Sequence, residues 1–204
     1  MEGTFFYWIS WFFWIITTFF MNKSKERLLY TVIILLLIIF SNKVIVVADI
    51  FKINASLGIT LLSCYVILAL FLEKINFKKV AYLLVCTLTI TTAYVSFHLF
   101  ELFDPIWVVF NRTIMLVFCL VYLTILLVKE RKQRILCLMI GACQGELLYA
   151  FILKNFPFDY EIGALSFFDV MAISVFTLFI WSALEHSVNY FDTYFEKTTK
   201  EKHG

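Results

Sequence analysis

The sequence predicts an all-α fold: a polytopic transmembrane bundle of about seven helices, N-terminus outside and C-terminus inside. Three observations predict it. The composition is too apolar for water, the chain divides into runs long enough to cross a bilayer, and Lys and Arg are distributed one-sidedly. Hydrophobic residues make up 62% of the 204-residue chain and charged ones 16%, with a mean hydropathy of +0.90. A soluble domain is about half apolar and a quarter charged. A globule of this size leaves too much of its chain exposed to hide such a surplus, whereas in a bilayer lipid takes the place of core. The formal charge of +2 is too small to point to nucleic acid.

A spanning helix needs about 20 apolar residues, and seven runs qualify as candidates. The first, Phe5 to Met21, is dense in aromatics. It has no basic leader and no small-residue cleavage site after it, so it is expected to stay as a membrane helix and not to be removed as a signal peptide. The second runs from Leu28 to about Phe40, the third from Ala55 to Leu72 and the fourth from Val80 to Phe97. The fifth covers Ile106 to Val128, the sixth Ile135 to Leu153 and the seventh Ile162 to Ala183. Ser41-Asn42-Lys43 interrupts the second run before Val44-Ile45-Val46-Val47. Either that helix ends near Ser41 or it continues with Lys43 snorkelling to the interface, and 41–54 is a candidate interfacial stretch.

The basic residues test this threading independently. The first, third and fifth connections and the C-terminal tail hold thirteen of the seventeen Lys and Arg. Lys43, Lys52 and Lys154 fall on the other side, and Arg112 lies inside a run. That bias puts the C-terminus in the cytoplasm. The opposite side is acidic, with Glu2, Asp49, Glu101, Asp104, Asp159 and Glu161. Residues 1–184 then form the bundle and 185–204 a cytoplasmic tail. Tyr190 to Phe195 in that tail reads either as an amphipathic stretch on the inner leaflet or as a continuation of the seventh helix.

Ionisable groups at membrane depth are costly, so each is a functional candidate. Arg112, Glu146 and Asp169 lie six or seven residues from the outer ends of runs five, six and seven, about 9–10 Å deep at the helical rise. Asn111 and Gln144 are close to that level. Matched depth predicts that Arg112 pairs with Asp169, Glu146 or both. Such a cluster is either a buried ion pair that fixes packing or a polar cavity open to the outside. Gly141 and Gly145 in the sixth run have the GxxxG spacing that lets another helix approach closely, within the chain or across a dimer.

His98, Glu101 and Asp104 end the fourth run before Pro105. They read as interfacial residues at a helix end, and one histidine with two carboxylates is a thin basis for a metal. Glu185-His186 lacks the second histidine of a zinc motif. The cysteines Cys64, Cys86, Cys119, Cys137 and Cys143 lie in apolar runs without metal spacing and read as buried hydrophobes. There is no lysine in the middle of the last run, no GxSxG, no P-loop and no helix broken by its two prolines, Pro105 and Pro157.

The opening Met1-Glu2-Gly3-Thr4-Phe5-Phe6-Tyr7-Trp8-Ile9-Ser10-Trp11, with Trp14 and Thr17 to Met21 after it, resembles the YphA-type membrane proteins of spore-forming bacilli. Length and segmentation are similar too. The resemblance implies a small multi-pass protein and supplies no catalytic residues. The expectation is therefore a protein of the cell membrane that is not an enzyme and uses no cofactor or metal. It is expected to pack with or scaffold a membrane partner or a second copy. The alternative is a small transporter or receptor using a polar site in the outer half of helices five to seven.

Overall fold

The computed structural model describes residues 2–47, 51–72, 77–104, 106, 110–154, 156 and 160–202, and the side chains of 47, 70–72 and 190–202 lie outside the described set. Asp49, Lys74, Pro105, Pro157 and Asp159 also fall outside it, as do the side chains of the Tyr190 to Phe195 stretch. Among the described residues are seven α-helices: α1 (Thr4–Ile15), α2 (Lys25–Phe40), α3 (Ala55–Leu72), α4 (Phe77–Phe103), α5 (Arg112–Leu127), α6 (Arg131–Leu153) and α7 (Leu165–Lys202). A π-helical turn, Ile16–Phe20, extends α1. Phe77–Phe103, Arg131–Leu153 and Leu165–Asn189 are long and apolar enough to cross a membrane, and Thr4–Phe20, Ala55–Ala69 and Arg112–Leu127 are shorter apolar helices. The last helix continues to Lys202, as the second reading of the tail expected.

Polarity is arranged as lipid requires. Large apolar side chains such as Phe118, Leu126, Phe151 and Trp8 are exposed, while Thr60, Thr124, Ser174 and Glu146 are buried. Two of the buried hydroxyls turn back on their own helix: Thr60 donates to the Ser56 carbonyl and Thr124 to that of Leu120, each at 2.7 Å. Such back-bonding hides a hydroxyl without a partner helix.

The core pair is α4 against α6, and the glycines explain it. A β-carbon added at Gly141 would lie 2.7 Å from Ile90, and one at Gly145 2.7 Å from the Tyr94 ring. Both distances are far inside contact, so the two glycines let α4 approach to where a side chain would stand. Thr91 on α4 donates to the Gly141 carbonyl at 3.1 Å across the same seam. The GxxxG spacing serves packing inside the chain.

The stretch after α2 resolves the open choice. The helix ends at Phe40, and Val44–Val47 (β1) pairs antiparallel with Phe51–Asn54 (β2), which pairs in parallel with Glu161–Ile162 (β3). Four consecutive β-branched residues favour a strand over a helix end. Asn54 fastens the join: its amide donates to the Ser41 carbonyl at 2.6 Å and its carbonyl oxygen accepts from Ser56 N–H at 3.0 Å. This small sheet ties the α2–α3 connection to the α6–α7 connection at one end of the bundle.

Candidate functional site

The charged residues expected to form one cluster take separate partners. Helix α5 begins at Arg112 itself, because Asn111 caps it by accepting from Thr113 N–H at 3.0 Å. Arg112 therefore stands at the rim, with a side chain 55% exposed, and not two turns inside a helix. Its Nε lies 2.9 Å from Glu101 Oε2, and its terminal nitrogen 3.1 Å from His98 Nδ1. The expected pairing with Glu146 or Asp169 is not formed; at the rim the guanidinium meets the end of α4 first.

Asp169, one turn into α7, caps a different helix. Gly3 N–H donates to Oδ2 at 2.7 Å and Phe6 N–H to Oδ1 at 2.8 Å. Helix α1 has no side-chain cap of its own, so a carboxylate from across the bundle satisfies its orphan donors and faces the positive end of its dipole. Gly3 holds φ +85°, which brings its N–H to Asp169 and which residues with a β-carbon rarely adopt.

Glu146 is almost fully buried and accepts from three donors: Tyr94 Oη at 2.6 Å, Tyr160 Oη at 2.8 Å and Gly163 N–H at 3.0 Å. Burial, with the carboxylate beside it, pushes the Tyr160 hydroxyl well above the ordinary tyrosine range, which keeps it a donor. Gln144 faces elsewhere, donating to Tyr65 Oη at 2.7 Å.

Four elements converge on a cavity of about 350 Å³ at the same end of the bundle as the small sheet. Arg112, Asn111 and Asp169 line it with His98, Tyr94, Tyr160 and the start of α1, and Glu146 backs it through the two tyrosines. His98 is packed between the rings of Tyr94 and Tyr149, 4.5 and 5.0 Å away between centroids. Arginine has no acceptor, so the contact with Arg112 makes Nδ1 the acceptor and assigns the ring proton to Nε2. That Nε2 is buried with no hydrogen-bond partner among the described residues. Glu101 shares the i, i+3 face with His98 as expected, Nδ1 to Oε2 3.5 Å. Asp104 turns away to accept from Ile106 N–H at 3.2 Å. Among the described residues no group of three His, Cys, Asp or Glu is placed to hold a metal.

Sequence reasoning missed the donors, Tyr94, Tyr160 and the backbone of Gly3, Phe6 and Gly163, and it missed a second network at the basic end. There Arg134 is buried, with Nε donating to the Val128 carbonyl at 2.5 Å and a terminal nitrogen 2.8 Å from Glu185 Oε1. Trp181 Nε1 donates to the same oxygen at 2.7 Å, and Arg131 lies 3.7 Å from Oε2. An arginine in the first turn of a mostly apolar run was the available signal.

The chain belongs to the YphA-like integral membrane protein family, whose model matches residues 2–204. It is 29% identical over 149 residues to Uncharacterized protein YphA of Bacillus subtilis (strain 168), covering 72% of each chain. No solved structure matches it. The protein is thus an integral membrane protein, and the family's description carries no activity.

Proposed function

We propose that this YphA-like protein is a non-enzymatic receptor or transporter of the cytoplasmic membrane, N-terminus outside, that takes a small uncharged polar solute into the His98 cavity. The observation that carries the reading is a polar cavity lined by His98, whose buried Nε2 finds no hydrogen-bond partner among the described residues. A buried N–H without an acceptor is costly, and a ligand oxygen is the group that would relieve it. The charges around it argue for a neutral occupant. Arg112 is already matched by Glu101, and Asp169 by two backbone N–H groups. The orientation rests on the basic ends of α2, α4 and α6 lying on one side, with the cavity on the other.

The test is thermal unfolding of detergent-purified protein against a panel of uncharged polar solutes. At least one solute should raise the melting temperature of the wild type and leave His98→Phe, which keeps the ring and loses the donor, unmoved. A panel without a stabilising solute, or one that stabilises both proteins equally, contradicts the reading.

The packing-partner reading has one observation of its own. Trp8, Phe19 and Phe20 on α1 and its π turn are exposed, a face open to lipid or to a membrane helix. The glycine pair that pointed to a partner is used inside the chain.

A further inference from the structure

A second cavity lies between α1, α2, α3, α6 and α7, with a volume of about 340 Å³ and almost wholly apolar walls. It runs along the helices. On α1 its walls extend from Phe6 to Thr17, eleven residues or about 16 Å at the helical rise. At one end it reaches Thr17, Tyr30 and Lys132; at the other it reaches Leu37 and Phe168. Lys132 is exposed in the first turn of α6.

Interiors pack without voids of this size, because an unfilled apolar space forfeits dispersion contacts on every wall. Helix α2, which forms one wall, is correspondingly loose: none of its residues is buried, and Tyr30, Ile33, Ile34 and Leu37 are only half-buried. The shape is a long apolar slot with a lysine at its mouth. That mouth lies at the end of the bundle carrying Lys23, Lys25, Arg27, Lys129 and Arg131, against Glu26, Glu130 and Glu185.

We infer that this slot holds one acyl chain of an anionic phospholipid, whose headgroup phosphate sits at Lys132. Three independent features fit that occupant. The slot runs along the bundle's helices, its walls are those a hydrocarbon chain prefers, and its mouth has the basic excess that attracts anionic headgroups. The inference stands apart from the His98 cavity, because the two share no lining residue.

Native mass spectrometry of detergent-purified protein incubated with phosphatidylglycerol or phosphatidylcholine tests it. The wild type should retain one phosphatidylglycerol in preference to phosphatidylcholine. Lys132→Gln should lower that preference about fivefold, the effect of one basic residue at a membrane surface. Ile34→Trp, which fills the slot from the loosely packed helix, should abolish retention of either lipid. Equal retention of the two lipids by the wild type overturns the inference, as does an unchanged preference in Lys132→Gln. Lys132 is an exposed residue, so that variant keeps the test open should Ile34→Trp fail to fold.

Discussion

At the end of the bundle that carries the small sheet, Glu146 and Asp169 are held by hydroxyls and backbone N–H groups, whereas at the basic end Arg134 meets Glu185 directly. The difference follows from what each end has at hand. The first is built from turns and helix starts, which leave N–H groups without partners: Gly3, Phe6 and Gly163 each donate one. A carboxylate there can be fully satisfied without a cation. The basic end has guanidinium groups, and the Glu185 side chain there is only partly buried, at 31% exposed. A carboxylate that no cation matches in the sequence is therefore not by itself a vacant binding group.

The largest expected effect comes from removing the best-satisfied group. Glu146→Ala leaves three donors unpaired, two of them buried and one half-buried, and should cost at least about 3 kcal/mol in unfolding measurements in mixed micelles. Glu146→Gln keeps one acceptor oxygen and should recover part of that loss. Next is Gly145→Ala, whose β-carbon would press into the Tyr94 ring at 2.7 Å. It should cost about 2 kcal/mol by overpacking, and it strains the same ring that carries a Glu146 donor.

How much of this was legible in the sequence depends on which groups carry it. The class, the helices and the GxxxG seam follow from apolar runs and residue size, which are side-chain properties. The strand at 44–47 was not read from the sequence, although the four β-branched residues Val44 to Val47 are a strand signal. The position of Arg112 was misjudged because the apolar residues from Ile106 onward lengthen the fifth run, although Asn111 before Arg112-Thr113 is a helix-start signal. The caps on Asp169 and Glu146 were not legible. Their donors are backbone groups and tyrosines far away in the chain, and any residue type carries an N–H.

At the basic end the effects should be smaller. Arg134→Met breaks the direct pair, but Glu185 keeps Trp181 and Arg131, so a loss of about 1 kcal/mol is expected from the same unfolding curves. Raising the salt should narrow the gap between this variant and the wild type, because a partly exposed pair is screened. Lys79→Ala removes an ion pair with Glu130 in which both side chains are substantially exposed. It should change stability by less than about 0.5 kcal/mol.

The most direct measurement is the unfolding of Arg112→Gln beside Glu146→Ala under one set of conditions. Separate partner networks predict that Arg112→Gln, at an exposed rim position, costs no more than about 1 kcal/mol while Glu146→Ala costs at least about 3 kcal/mol. Equal and large losses from the two would mean that Arg112 and Glu146 stabilise one another as a single buried ion cluster, which contradicts the account.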